Sequence, residues 1–368
     1  MGTGVSILEI YTRCALDDYT ISTLDPLGAD EFLVEDLPRL NAGGETDKIY
    51  RVFGRFLSFS SSSWSKLEAA AATRDVAMVA SSLVKHTSSL HQFPEIENVL
   101  MELSKITGEV PADTVTSYGP RNPAGRRMRT FTGEPEERFF ISCVVEGMRS
   151  LPLAVSLLDV AQEYPLDSPE FPYLVGLAAD NFDVMTNSMA KVRKRITPEY
   201  FTGKLRPYFE PKIVGGRKYL APGGAQMPIV LIDLALWGGE DNNPQYIRYW
   251  KENVEYLPAV LRLRAQKISS SGSLLQKIKK EFQNRRVACK ESVRASLDAA
   301  EKLVVALLKF RYPHLKVAED NMAIRPQGAL GSGGYDTTIL RLLIASSESA
   351  RQTIQELKKL TREDVCHG

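Results

Sequence analysis

The sequence is poor in the residues that build common metal and disulfide sites. Its 368 residues contain only four histidines and four cysteines. The cysteines (Cys14, Cys143, Cys289 and Cys366) are far apart and form no CxxC pair. This spacing argues against a structural zinc site and against a disulfide framework. We therefore expect reduced thiols and a cytoplasmic protein.

The chain also lacks a large excess of charge of either sign, and it lacks long apolar runs. Lysine and arginine number 46 against 45 acidic residues, so the net charge is +1. A nearly neutral chain carries no broad basic field for nucleic acid. The clusters RRMR (126–129) and RKR (193–195) are therefore interpreted as solvated surface. No apolar run has the length of a membrane span, and the first residues lack the pattern of a secretory signal.

Strand patterns are absent, whereas apolar residues recur at helical spacing along most of the chain. The sequence therefore predicts an all-α fold. Helices are predicted at 65–86, 95–107, 134–164 (kinked or divided at Pro152), 168–196, 227–238, 243–270, 273–310 and 332–360. The Gly/Pro/Arg stretch at 116–135 is a candidate domain boundary. It separates a small N-terminal helical domain, 1–118, from a large helical domain, 119–368.

Two glycine-rich loops interrupt the helical body. They are RPYFEPKIVGGRKYLAPGGAQ (206–226) and AIRPQGALGSGGYD (323–336). Long loops within compact domains are usually functional or disordered, and apolar helices flank both of these, which favours a pocket beneath them. The second loop could be a flexible connection. It could also be a backbone wall close to a flat ligand, with Ser332 as its polar group.

The stretch LLKFRYPHLKVAED (307–320) places a proline and a histidine inside an apolar helix. Pro313 removes a helical hydrogen bond, which predicts a local kink. His314 is either a core histidine satisfied by one hydrogen bond or a metal ligand. Zinc would need three or four ligands, and no second histidine or cysteine lies at ligand spacing. Haem needs only one protein side chain, so haem stays open.

Two charged residues lie beside or within apolar sequence. Arg206 and Asp233 are expected to have partners, since an isolated buried charge is costly. A structural ion pair would explain each of them. Arg206 could instead clamp a substrate carboxylate, and Asp233 could support a ligand histidine.

Several motifs together resemble the monodechloroaminopyrrolnitrin synthases, haem enzymes of the pyrrolnitrin pathway. The motifs are RPYFEPKIVGGRKYLAPGGAQMPIVLIDLALWG, LLKFRYPHLKVAE, GSGGY, EAAAATRDV and FTGEPEE. More distantly, the chain is similar to indoleamine 2,3-dioxygenase and the wider tryptophan dioxygenase superfamily. The resemblance implies an all-helical fold in which a large C-terminal domain binds haem b.

The same resemblance implies roles around the haem. His314 would be the proximal iron ligand. Arg311 would lie near a haem propionate and pair with Asp233. The loop residues Gly223, Gly224 and Ala225 would back the distal pocket.

Substrate contacts follow from the resemblance in the same way. The implied residues are Phe139, Phe140, Cys143, Phe201, Arg206 and Ser332. Phe201 would lie against an indole and Arg206 would bind the amino acid carboxylate. Cys143 stands where the dioxygenases have a serine. The family's tyrosine after the ligand histidine is replaced here by Asn321 or Met322.

The function implied is oxidation of L-tryptophan or a substituted, including chlorinated, tryptophan, with dioxygen or peroxide as co-substrate. The expected outcome is ring rearrangement to an aminophenylpyrrole-type product in secondary metabolism. Alternatives are a tryptophan 2,3-dioxygenase that forms N-formylkynurenine, a non-catalytic haem- or indole-binding protein, and a helical scaffold without cofactor. The expected partner is a small indole amino acid rather than nucleic acid or a membrane. The expected state is a monomer or weak homodimer.

Overall fold

The computed structural model describes residues 7–57, 64–238, 243–283, 291–326, 328–331 and 333–361, except for the side chains of 7–14. Its regular structure is almost entirely helical, which confirms the predicted all-α fold. The helices are α1 (Ile7–Thr23), α2 (Leu37–Gly43), α3 (Thr46–Gly54), α4 (Lys66–Thr87), α5 (Pro94–Thr107), α6 (Val115–Tyr118), α7 (Pro135–Arg149), α8 (Leu151–Ala161), α9 (Glu170–Arg195), α10 (Pro198–Tyr200), α11 (Ile229–Asp233), α12 (Pro244–Val254), α13 (Ala259–Ser271), α14 (Leu274–Phe282), α15 (Glu291–Ala323) and α16 (Thr338–Leu360). Short π-helical turns lie at Phe32–Asp36, Phe201–Leu205 and Leu234–Gly238.

The long helix α15 is central to the packing. It lies along α9 and α16, and α9 also packs against α7 and α8. Leu297, Ala300, Val304 and Leu307 are buried on α15 at spacings of three and four residues, so they form one helical face. These helices enclose one hydrophobic core, in which Phe182 of α9 meets a ring of α15 edge-on.

A second hydrophobic core lies among helices α2 to α5. It contains Phe53 and Leu100 from this part of the chain. It also contains Phe131, Tyr208 and Val214, which come from beyond residue 118. Residues on both sides of the proposed boundary therefore share this second core. The division into domains 1–118 and 119–368 stays a prediction.

Arg129 corrects the expectation that the RRMR cluster is solvated surface. Its side chain is only 1% exposed, because Nε donates to Asp75 at 3.1 Å and the guanidinium also pairs with Asp30. Arg74 shares the Asp75 carboxylate through two bonds of 2.7 Å. Arg126 of the same cluster is exposed. A buried arginine is stable here because carboxylates of α4 and the N-terminal segment neutralise it.

Several element boundaries differ from the sequence prediction. The segment 243–270 forms two helices, since α12 ends at Val254 and α13 begins after Pro258. The predicted loop 206–226 contains an antiparallel hairpin, β1 (Lys212–Val214) and β2 (Arg217–Tyr219). Gly215 and Gly216 form its turn with φ of 57° and 74°, and glycine adopts these left-handed angles without strain.

The predicted apolar segment 134–164 is divided, as expected, into α7 and α8 just before Pro152. Among the described residues, Pro135–Ala161 is the segment long and apolar enough to cross a membrane by composition. Core helices pass the same test, and 61% of its most apolar window is buried inside the fold. It packs against α9 within the first hydrophobic core.

Pro313 does not end its helix. Helix α15 has 33 residues and continues past this proline to Ala323. Proline leaves the carbonyl of Lys309 without its helical donor. Lys309 is exposed, so water can satisfy that carbonyl. The kink predicted at Pro313 stays a prediction.

Two helical glycines give a matched test of packing between α7 and α9. A β-carbon on Gly147 would lie 2.6 Å from Sδ of Met185, whereas one on Gly176 would meet nothing within 4 Å. Gly176→Ala should raise the free energy of unfolding by about 0.5–1 kcal/mol through helix propensity. Gly147→Ala should lower it, because overpacking costs about 1–3 kcal/mol. Urea unfolding measures both, and equal stabilisation by the two would contradict tight packing at Gly147.

Candidate active-site cavity

A cavity of about 390 Å³ lies between α9, α15 and α16 and beneath the two glycine-rich loops. One face of α9 lines it with Met185, Ser188, Met189 and Val192, which recur at helical spacing. Further apolar walls come from Val144, Met227, Ile229, Phe310, Val317, Ile339, Leu340 and Leu343. Its volume and apolar lining are typical of a small-molecule site.

His314 opens into this cavity from α15. Its imidazole packs against Phe310 with a centroid distance of 5.2 Å and makes no hydrogen bond to any residue that the structure describes. Burial, together with the nearby Arg311 cation, lowers the pKa of His314 to about 4. The ring is therefore neutral near pH 7 and keeps a free lone pair. The first interpretation, a core histidine with a hydrogen bond to the protein, therefore finds no support among the described residues.

The buried ion pair behind His314 joins Arg311 to Asp233. Both side chains are almost fully buried, with 2% and 1% exposed. Both Asp233 oxygens accept from one terminal nitrogen of Arg311. The other terminal nitrogen donates to the carbonyl of Leu343 at 3.2 Å and to Oγ of Ser347 at 2.5 Å. Asp233 is therefore linked to the turn that carries His314 through Arg311 and not by a bond to the imidazole.

The loop residues expected around a haem lie at different places. Gly224 lies against the histidine, because a β-carbon there would come within 3.5 Å of Cε1 and 3.8 Å of Nε2 of His314. Ala225 also lines the cavity, and Gly333 packs close to its β-carbon. Gly223 is not among the lining residues. The two glycine-rich loops thus meet at one wall of the cavity.

The expected substrate residues are brought together in part. Phe140, Cys143, Phe201 and Arg206 line the cavity, and the rings of Phe140 and Phe201 are 5.7 Å apart. Phe139 points elsewhere, and its ring lies 4.5 Å from the Arg195 guanidinium. Ser332 lies outside the described residues.

Cys143 contributes a buried thiol to the wall formed by α7. It is free and 2% exposed. Burial raises the pKa of Cys143, so it carries its proton near neutral pH. The hydroxyl of Ser188 donates to the Cys143 carbonyl and so joins α9 to α7 at this wall.

Arg206 lies at the mouth of the cavity with 5% of its surface exposed. One terminal nitrogen donates to Glu210 at 2.7 Å and to the carbonyl of Phe209. The other donates to the carbonyls of Leu330 and Gly331 in the second glycine-rich loop, each at 3.3 Å. Nε is buried and has no hydrogen-bond partner among the described residues. Burial lowers the pKa of Arg206, although Glu210 opposes this effect.

Sequence reasoning missed two tyrosines at this site. Tyr335, within the glycine loop, donates to Glu252 at 2.6 Å and accepts from Asn253 at 2.9 Å. Tyr249 packs edge-on against it at 5.4 Å and also lines the cavity. The hydroxyl of Tyr249 makes no hydrogen bond within the described part of the chain. The helical spacing of Tyr246, Tyr249 and Asn253 places them on one face of α12, and this pattern could have indicated Tyr249 from the sequence.

An all-α fold around an apolar cavity with a few convergent polar side chains is typical of a helical protein that binds a small molecule. A family model described as monodechloroaminopyrrolnitrin synthase PrnB matches residues 50–362. The chain belongs to this family, which confirms the resemblance drawn from its motifs. It is therefore an enzyme of pyrrolnitrin biosynthesis that acts on a tryptophan-derived substrate.

The lowered pKa of His314 makes stability depend on pH. The unfolded chain binds a proton on this ring near pH 6.5, whereas the folded chain binds it only near pH 4. The unfolded state therefore holds more protons in this window, and stability should fall as the pH drops through it. Denaturant unfolding of haem-free protein should show a smaller loss for His314→Gln than for the wild type. Identical losses would contradict a buried, neutral imidazole.

The Arg311–Asp233 pair should be strongly coupled. Replacing one partner, as in Asp233→Leu, leaves a buried charge and should cost about 3–5 kcal/mol of unfolding free energy. The double variant Asp233→Leu/Arg311→Met should cost less than the sum of the two single changes, because it leaves no unpaired charge. The same double-mutant cycle on the exposed pair Arg217–Glu255 is the control, and its coupling free energy should be about 0–1 kcal/mol. Additive losses at the buried pair would refute the coupling.

Proposed function

We propose that the protein is a haem b-dependent oxidative enzyme that acts on L-tryptophan or a substituted, including chlorinated, tryptophan. Its product would be an aminophenylpyrrole formed by ring rearrangement. The observation that carries the proposal is His314, a neutral imidazole that opens into an apolar cavity and makes no hydrogen bond to the residues described in the structure. Membership of the synthase family supports the substrate class.

The residues around the cavity fit a haem group. Haem needs one protein ligand, and a neutral imidazole is a suitable one. The apolar lining suits the macrocycle, and Arg193 and Arg311, which line the same cavity, suit its propionates. Among the described residues, no group of three or more His, Cys, Asp or Glu side chains could hold a bare metal ion. A single histidine therefore favours haem, whose porphyrin supplies the other ligands of the iron.

His314 would hold the iron, and the ion pair one turn earlier would fix its direction. Arg311 ties this turn of α15 to Asp233 in α11 and to Ser347 in α16. When bound, haem would supply an iron centre with an open face for dioxygen or peroxide. The protein's share of the chemistry would then be to bind, orient and shield the substrate.

Phe140 and Phe201 would form one aromatic wall against the indole ring, since their rings contact each other at a centroid distance of 5.7 Å on the cavity wall. Arg206 would bind the amino acid carboxylate by a charge-assisted contact worth about 1.5–3 kcal/mol. The Cys143 thiol keeps its proton and most of its neighbours on this wall are apolar, so this thiol supplies no base beside the ring. Such a wall favours oxidation of an electron-rich indole and excludes water from it.

A second candidate function is 2,3-cleavage of tryptophan to N-formylkynurenine. Asn321 and Met322 line the cavity, and the resemblance implies a substrate-binding tyrosine at this place. Without that contact the indole would be free to take a different orientation, which favours 2,3-cleavage as the second reaction to test. A cytoplasmic location, and a monomer or weak homodimer, stay predictions.

The absorption spectrum of haem-loaded protein tests the cofactor and its ligand. The wild type should show a Soret band, and His314→Ala should remove or greatly weaken it because the ligand is lost. His91→Ala, which changes an exposed histidine, should leave the band unchanged. A full band in His314→Ala would exclude this histidine as the ligand. No band in the wild type after haem addition would exclude the cofactor.

Product masses separate the two reactions. Haem-loaded protein is incubated with tryptophan or 7-chlorotryptophan under dioxygen and reductant, or with peroxide. Loss of carbon dioxide and two hydrogens, with no oxygen retained, supports oxidative rearrangement, whereas a gain of two oxygens supports cleavage and loss of carbon dioxide alone is simple decarboxylation. Binding without turnover under all conditions would support a non-catalytic indole-binding protein.

A further inference from the structure

A second cavity of about 480 Å³ adjoins the first, and we call it the outer pocket. The two cavities share Thr202, Arg206 and Arg325. The other residues that line the outer pocket are Val84, Lys85, Ser88, Pro207, Glu210 and Pro211. The two arginines therefore lie at the boundary between the apolar cavity and a polar space.

The outer pocket carries more positive than negative charge. Lys85, Arg206 and Arg325 contribute three cations, and Glu210 is the only carboxylate among the lining residues. The Lys85 ammonium donates to the hydroxyl of Tyr208 at 2.9 Å, a bond that leaves its charge without compensation. A partly enclosed pocket with excess positive charge attracts anions.

Glu210 occupies the place between the two arginines. One of its oxygens, Oε1, lies 2.7 Å from Arg206 and 3.9 Å from Arg325. The Glu210 side chain is 44% exposed, whereas only 6% of the Arg206 side chain is exposed. An exposed carboxylate in an ion pair contributes little net free energy and can turn into water at small cost. The buried arginine cannot follow it.

Neither arginine has all its donors well satisfied. Nε of Arg206 is buried and has no hydrogen-bond partner within the described part of the chain, and the two bonds from Arg206 to loop carbonyls are long, at 3.3 Å. Arg325 donates one terminal nitrogen to Leu330 at 2.5 Å, and the nearest carboxylate to the other is the Glu210 oxygen at 3.9 Å. A buried donor without a partner costs free energy that an incoming acceptor recovers.

We propose that Arg325 joins Arg206 in binding the substrate's α-carboxylate, and that Glu210 is an internal competitor for the same position. The inference rests on the proposed function, because it takes an indole amino acid as the substrate. The indole lies in the apolar cavity, and its carboxylate reaches the boundary between the two cavities. There it meets both guanidinium groups and displaces Glu210 toward solvent.

The arrangement has a consequence for selectivity. An indole amine without a carboxylate cannot displace Glu210, and its ammonium group meets two arginines instead. Amino acids are therefore preferred over amines of the same ring. Glu210 lowers the affinity for every carboxylate ligand, so its removal strengthens their binding.

The test compares L-tryptophan with tryptamine, which lacks only the carboxylate. Dissociation constants are measured by calorimetry with haem-loaded wild type, Arg325→Gln, Glu210→Gln and the control Arg217→Gln. Arg325→Gln weakens tryptophan binding about tenfold, equivalent to about 1.4 kcal/mol. Glu210→Gln strengthens it about two- to fivefold, because the exposed carboxylate that competes for the arginines is removed. Arg217→Gln, at an exposed pair outside both cavities, changes neither constant.

The inference is supported if Arg325→Gln weakens and Glu210→Gln strengthens the binding of tryptophan, and if Arg325→Gln does not weaken the binding of tryptamine. Weaker tryptophan binding in Glu210→Gln would overturn it, because Glu210 would then support the arginines instead of competing with the ligand. Equal effects on tryptophan and tryptamine would also overturn it. If the wild type binds tryptophan and all variants bind it equally well, the inference is refuted and the proposed function stands. Wild-type protein with no Soret band and no tryptophan binding refutes the proposed function, and the inference with it.

Discussion

Arg311 and Asp233 form an ion pair in the interior of the protein, and the geometry of the site depends on it. Transfer of two charges from water to such an interior is costly, and only close pairing with further hydrogen bonds offsets the cost. Arg311 meets that condition, because it also donates to Ser347 and to a carbonyl of α16. The pair thereby joins α11, α15 and α16 one helical turn before His314. A histidine held in this way cannot easily turn from the cavity toward the core.

A second constraint acts at the mouth of the cavity, where charge holds backbone in place. Arg206 and Arg325 both donate to the carbonyl of Leu330 in the second glycine-rich loop. Tyr335 fastens the end of the same loop to α12 through Glu252. These contacts place a loop of small residues over an apolar space, where a β-carbon on Gly333 would already touch Ala225 at 3.4 Å. The arginines that hold the loop are also the groups best placed for an anionic substrate.

Much of the fold followed from the sequence, because helices leave a local periodic signal. Helix α4 begins after a Ser65 cap that bonds Glu68, and this motif is visible in the chain. The hairpin around Gly215 escaped notice since three-residue strands carry too little alternation to recognise. The burial of Arg129 escaped notice for a different reason. Its partner Asp75 is 54 residues away, and no local pattern shows that the two will meet.

The sequence alone determined the all-α class, the family through its ordered motifs, and the singular position of His314 in an apolar helix. These are properties of residue type and short spacing, which the chain carries whether or not it is folded. Tertiary structure decided which candidates share a cavity. It set Phe140, Cys143 and Phe201 together and turned Phe139 away toward Arg195. Such choices depend on how helices distant in sequence pack, since one residue's step along a helix turns a side chain by about 100°.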